Sequence, residues 1–110
     1  MERERLENRV RILSALANET RLMIIENLEK GEMTVSEITG LAELDISTVS
    51  RHLAVLKHAG LVSSSPRGNH RVYKLETPCV LGFLDCVEDI TEDGSGICAG
   101  DVRERMQERQ

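Results

Sequence analysis

Apolar residues recur along this chain at helical spacing, in blocks separated by polar capping residues and glycines. Leu6, Val10, Leu13 and Ala17 follow one another at four, three and four residues, with Ile12 and Leu16 beside them, which predicts an amphipathic helix over residues 3–17. Asn18 is placed to cap a second helix, Glu19 to Glu29, with Leu22, Ile25 and Leu28 as its inner row and Gly31 as its stop. Thr34 with Glu37 three residues on has the form of a capping box and opens a third helix bearing Ile38, Leu41 and Ala42, slightly weakened by Gly40. The short link Glu43-Leu44-Asp45 leads into a fourth, capped by Asp45 and closed by a left-handed Gly60. Its buried stripe is Val49, Leu53 and Leu56, at i, i+4 and i+7. Two short helices joined by so tight a turn form a helix-turn-helix, with the second helix as the reader.

Beyond Gly60 the pattern changes. Leu61 to Ser65 and Arg71 to Leu75 are β-compatible runs around Pro66-Arg67-Gly68-Asn69-His70, which predicts a hairpin. Thr77 and Pro78 then suit the cap and first position of a last helix. That helix carries two apolar rows, Val80, Leu84 and Val87 beside Cys79, Phe83, Cys86 and Ile90. Apolar over much of its circumference, it is expected to form a dimer interface together with the first helix. The expected fold is therefore mainly α with a small β-hairpin, dimeric through the first and last helices. Residues 1–93 are expected to form one domain; residues 94–110, opening on Gly94-Ser95-Gly96, a flexible glycine-rich segment and charged tail.

Composition narrows the class. A chain of 110 residues with 40% hydrophobic content supports one folded domain, and its aromatics, Phe83 and Tyr73, are too few for an all-β core. No apolar run is long enough to span a bilayer and the N-terminus lacks a secretory segment, so a cytoplasmic protein without membrane contact is expected. The net charge of -5 is unevenly spread: residues 1–33 carry -1, residues 34–75 carry +2 and residues 76–110 carry -6. The only net-positive third contains the reading helix and the hairpin, so a local basic footprint survives on an acidic chain.

That footprint has the chemistry of a DNA-binding surface. Ser47 and Thr48 are short hydroxyls that permit close approach in a major groove, and Arg51 can bridge guanine bidentately. Arg67 and His70 at the hairpin tip, with Arg71 and Lys74 close by, can reach phosphates or the adjacent minor groove. The plainer alternatives are a solvated helix face and a solvated turn. A protein-interaction module without DNA is the competing class. No phosphate-cradling loop or nucleophilic triad is recognisable, so an enzyme is not expected.

Ala15-Leu16-Ala17-Asn18-Glu19-Thr20-Arg21-Leu22, the run from Ser47 to Leu56, and Ala59-Gly60-Leu61-Val62 together resemble the ArsR/SmtB family of bacterial winged helix-turn-helix repressors. The resemblance spans roughly residues 10–90. It implies a homodimer on palindromic double-stranded operator DNA, released by an inducer. It also implies groove contacts at Ser47, Thr48, Ser50, Arg51 and His52. Two departures bear on the inducer. The Cys-x-Cys metal pattern of many members is missing from Ser36 to Gly40, and no Asp and His ligand pair lies on the last helix, because His52, His58 and His70 precede it.

The remaining sensing candidates are Cys79, Cys86 and Cys98, three thiols suited to arsenite or another soft metal as inducer. In a cytoplasmic setting they are expected to be reduced, as free thiols or ligands. Seven residues of helix set Cys79 and Cys86 about 10 Å apart along the axis, so a joint site needs the second subunit or the Cys98 segment. Cys79, in the first helical turn, is expected to be the most reactive. A redox or persulfide sensor uses the same thiols, and simple packing is the third alternative.

Overall fold

The computed structural model describes residues 2–93. Its elements are α1 (Arg3–Leu16), α2 (Glu19–Glu29), β1 (Met33–Thr34), α3 (Val35–Ala42), α4 (Ile46–His58), β2 (Val62–Arg67), β3 (His70–Leu75) and α5 (Cys79–Asp93). Five helices with a small antiparallel sheet agree with the expected fold class. The contacts divide the chain into a unit ending at Thr77 and a second beginning at Pro78, of which α5 is the described part. The expected tail, residues 94–110, lies outside the described residues. Among the described residues no helix is long and apolar enough to cross a membrane.

The local signals act as their chemistry requires. The Asn18 side chain accepts from the Arg21 amide at 3.0 Å, starting α2. Thr34 and Glu37 close the capping box reciprocally, at 3.1 and 2.8 Å, so two otherwise orphaned amides at the start of α3 are satisfied. Asp45 accepts from the Thr48 amide at 2.7 Å, and Gly60 takes φ 84 after α4. The turn between α3 and α4 is closed differently: Glu43, not a glycine, occupies the left-handed region at φ 57.

The core of the first unit gathers one stripe from each element. Ile24, Ile25 and Leu28 of α2, Ile38 of α3, and Val49, Leu53 and Leu56 of α4 are buried together with Leu61, Val62, Val72 and Leu75. Leu22, predicted for the inner row of α2, is only half-buried, and Ile24 takes a core place instead. Leu53 is wholly buried, and truncating a side chain like it to alanine costs about 2–5 kcal/mol, so it anchors α4 to the core.

Three predicted details need correction. The hairpin strands run further than expected, pairing as far as Arg67 opposite His70, so the turn is only Gly68-Asn69. Pro66 can lie within β2 because the sheet order β1-β3-β2 makes β2 an edge, where a missing amide donor is tolerated. Gly68 has φ 65, as the first position of a tight hairpin turn demands. The short strand β1 was not foreseen; Met33 pairs with Tyr73 and Thr34 with Val72. Thr77 does not serve as foreseen either: its hydroxyl donates to the Leu61 carbonyl at 3.4 Å, and α5 begins at Cys79.

Candidate nucleic-acid interface

The exposed side of α4 is set by its buried side. With Val49, Leu53 and Leu56 inside, Ser47, Ser50, Arg51 and Ala54 are left exposed and Thr48 half-buried. The structure thus brings Ser47, Thr48, Ser50 and Arg51 together on the first turns of one helix. Asp45 organises their start. It accepts from the Thr48 amide and, at 2.8 Å, from the Ser47 hydroxyl. The Thr48 bonds, then the one from Ser47, hold its carboxyl at a pKa of about 2, with the Arg51 charge adding to the effect. The hydroxyl of Ser47 is thereby engaged with the protein. Its proton is directed at Asp45, so toward a groove it presents lone pairs and acts as an acceptor.

His52 lies on one flank of this face and is half-buried. Its Nδ1 is 3.1 Å from a terminal nitrogen of Arg21, whose Nε donates to the Ala15 carbonyl at 2.6 Å and whose other terminal nitrogen donates to the Ser14 carbonyl at 3.3 Å. A guanidinium only donates, so Nδ1 accepts and the imidazole proton sits on Nε2. Burial lowers the His52 pKa, with the charges of Arg21 and Arg51 adding to it. His52 is thus a neutral imidazole engaged with the protein through one nitrogen, leaving Nε2–H as its remaining donor.

The hairpin carries the second set. His70 and Arg71 are exposed, but Arg67 is drawn back into an ion pair with Glu32 at 2.9 Å. The pair borders a pocket of about 270 Å³ lined by Glu32, Met33, Thr34, Glu37, Arg67, His70 and Val72. Both partners are solvent-exposed, so the pair adds little to stability. Its effect is to neutralise a tip charge that the sequence leaves unpaired. On the opposite side, Lys57 and Arg71 both donate to the Ser64 hydroxyl at 2.9 Å, joining α4 to the hairpin.

Arg21, Glu32, Lys57 and Ser64 were not singled out from the sequence. Only Lys57 had a local signal, as the end of the row Ser50, Ala54, Lys57 at i, i+4 and i+7.

The two described cysteines differ in state. Cys79 is exposed with a free thiol, whereas Cys86 is disulfide-bonded, which corrects the expectation that it is reduced. A sulfur in a disulfide is not a thiolate, so ligation by Cys86 requires reduction first. Cys98 lies outside the described residues. Among the described residues, no group of three or more His, Cys, Asp or Glu side chains is arranged to hold a metal ion.

Comparison with known proteins places this surface in context. Residues 18–64 match the model of the bacterial regulatory protein, arsR family. The chain is 42% identical over 66 residues to the HTH-type transcriptional regulator Rv2034 of Mycobacterium tuberculosis, covering 60% of this chain and 62% of that one, so it spans under two thirds of that relative. To the transcriptional activator HlyU of Vibrio cholerae it is 36% identical over 74 residues, 67% of this chain and 68% of HlyU. The structure of HlyU superposes with a TM-score of 0.69 at 32% identity, covering 82% of this chain and 97% of that one. HlyU has also been solved in a form described as reduced, matching with a TM-score of 0.67 at 31% identity over 79% of this chain and 92% of that one. The homodimeric winged helix-turn-helix DNA-binding domain of Mb0332 from Mycobacterium bovis gives a TM-score of 0.72 at 29% identity, covering 78% of this chain and 82% of that domain.

Proposed function

This chain belongs to the ArsR family of bacterial regulatory proteins, and from that premise we propose that it represses transcription as a homodimer seated on palindromic operator DNA. The observation that carries the reading is α4 itself: a helix anchored by three fully buried side chains, with Ser47, Ser50 and Arg51 exposed beside Thr48 on its first turns. A helix of this shape fits a major groove, and two copies related by a twofold axis address two half-sites. A second copy is supported by α1, where Leu6, Val10 and Leu13 are 52%, 53% and 54% exposed in one row. Repression follows most simply from occupancy, since a dimer over a promoter excludes polymerase.

The experiment is binding to the DNA upstream of the protein's own gene, paired with a reporter driven by that fragment. Arg51→Ala is expected to lose about 1–3 kcal/mol of specific affinity while remaining folded and dimeric. Unchanged affinity in the variant would refute the groove assignment, and reporter output that rises with the protein would replace repression by activation.

We further infer that the cysteines take the effector. In the reduced protein, Cys79, Cys86 and Cys98 offer the thiolates that trivalent arsenic or another soft metal ion prefers. Thiol oxidation is the second reading, and the disulfide at Cys86 favours it. Here two thiols give up two protons and two electrons to peroxide, which leaves as two waters. Arsenite added under reducing conditions tests the first and peroxide the second, with operator release as the signal. Cys79→Ser and Cys86→Ser are expected to bind operator normally and resist release, Cys98→Ser less so. Zinc is expected to be a poor inducer. Release that persists in both Cys79→Ser and Cys86→Ser would remove these thiols from sensing.

A further inference from the structure

Resting on the reading of α4 and the hairpin as a DNA-binding surface, we propose that Lys57, Ser64 and Arg71 form one seat for a single backbone phosphate, held jointly by the reading helix and the wing. The seat is built from three elements. Lys57 stands in the last turn of α4, Ser64 within β2 and Arg71 on β3. The Lys57 ammonium and a terminal nitrogen of Arg71 each donate to Ser64 Oγ at 2.9 Å. Two hydrogen bonds to one oxygen keep the cationic nitrogens within about 6 Å of each other.

The hydrogen-bonding capacity of this group is one-sided. A hydroxyl oxygen has two lone pairs, and Lys57 and Arg71 take both of them, so the Ser64 proton is left to donate outward. The two cations have further N–H groups and no accepting capacity at all. Among the described residues the ion pairs are Arg3 with Glu7 and Arg67 with Glu32, so neither Lys57 nor Arg71 is neutralised by a carboxylate. Two like charges held this close repel, and an anion that accepts from all three donors relieves the repulsion. A phosphodiester, with two charged oxygens on one tetrahedral centre, is such an anion.

Position identifies the phosphate as one on the DNA backbone. Ser50, Ala54 and Lys57 lie in one row along α4, bordering the face that carries Arg51. Ala54 is exposed and small, so a strand can pass from the base-reading turns to Lys57 without obstruction. The other flank is occupied by His52 against Arg21. A strand leaving the groove toward the wing meets the seat, and a phosphate gripped there fixes the wing relative to the reading helix.

The test uses the full-length chain and a duplex selected from random DNA by the wild-type protein, with its backbone phosphates replaced one at a time by neutral methylphosphonates. Wild type is expected to lose about tenfold in affinity at one position per half-site that depends on the seat. Lys57→Gln and Arg71→Gln each weaken binding to the unmodified duplex. Both become indifferent to the methylphosphonate at that same position and stay sensitive to it elsewhere. The double variant lowers the salt slope by about one, the value for one phosphate. Lys30→Gln, an exposed cation at the end of α2, keeps the wild-type pattern and controls for lost charge. Lys57 and Arg71 variants that mask two different phosphates, or none, overturn the seat, as does a slope change of about two in the double variant. Failure of the wild-type protein to select any duplex would instead overturn the DNA-binding reading.

Discussion

Arg21 and His52 stand 31 residues apart in the chain, yet a guanidinium nitrogen of one lies 3.1 Å from Nδ1 of the other. The same guanidinium holds the carbonyls of Ser14 and Ala15, so one side chain ties the end of α1 to the flank of α4. The bond exists only while His52 is neutral, because a protonated imidazole has no lone pair to offer.

This relationship sets a pH limit on stability. The His52 pKa is lowered from 6.5, first by burial and then by Arg21 and Arg51. The unfolded chain therefore takes up its proton at a pH where the folded chain does not. Stability is expected to fall as pH drops below the unfolded value and to level off below the folded one. Urea midpoints measured from neutral to mildly acid pH should show this limb in wild type. His52→Asn, which keeps an accepting oxygen near the Nδ1 position and does not titrate, should flatten it. Equal slopes in the two proteins would remove His52 as the cause.

Asp45 sets a second, more acidic limb. Its pKa of about 2, held down first by the Thr48 amide, lies below the ordinary aspartate value of 3.8. A depressed carboxylate contributes stability that is present above the unfolded value and lost as pH falls through the folded one. Asp45→Ala should lose this acid limb, lower the thermal midpoint and weaken operator binding, because the start of α4 frays. Asp45→Asn keeps an accepting oxygen and should preserve the helix while losing the limb. Circular dichroism across the acid range distinguishes them.

The ion pair between Arg67 and Glu32 predicts a gain of binding. Freed by Glu32→Gln, Arg67 becomes available to phosphate, so affinity for all sequences should rise and the salt slope increase by up to about one. Arg67→Ala should do the reverse, weakening specific and non-specific DNA alike. Titrations on random and operator duplexes at several salt concentrations check both. A sequence-selective change in either variant would contradict a role at the backbone.

The apolar row on α1 predicts a concentration-dependent assembly. Val10→Asp sets a charge between Leu6 and Leu13 in a row more than half exposed in the single chain, so the fold of residues 2–77 should survive it. The variant should sediment as a monomer and bind a half-site far better than it binds the palindrome. Phe83→Ser on α5, 55% exposed, tests the other expected half of the interface in the same way. Two variants that remain dimeric would move the interface elsewhere.

Local hydrogen bonds account for what was legible in the sequence alone. The starts of α2, α3 and α4 rest on Asn18, Thr34 with Glu37, and Asp45, each bonding three residues ahead, within reach of any short window of sequence. The buried stripe Val49, Leu53 and Leu56 is equally local, since helical geometry alone puts i, i+4 and i+7 on one side. Hence the polar face that carries Ser47, Thr48 and Arg51 follows from local sequence alone. Contacts that close long loops were not legible. Strand β1 is two residues whose pairing with Val72 and Tyr73 carries no periodicity of its own. Glu32 reaches Arg67 across 35 residues, and Thr77 turns to the Leu61 carbonyl instead of capping a helix. Which charges on this surface are neutralised, by Glu32, or left open, around Ser64, follows from packing that brings distant segments together, and only the tertiary structure decides it.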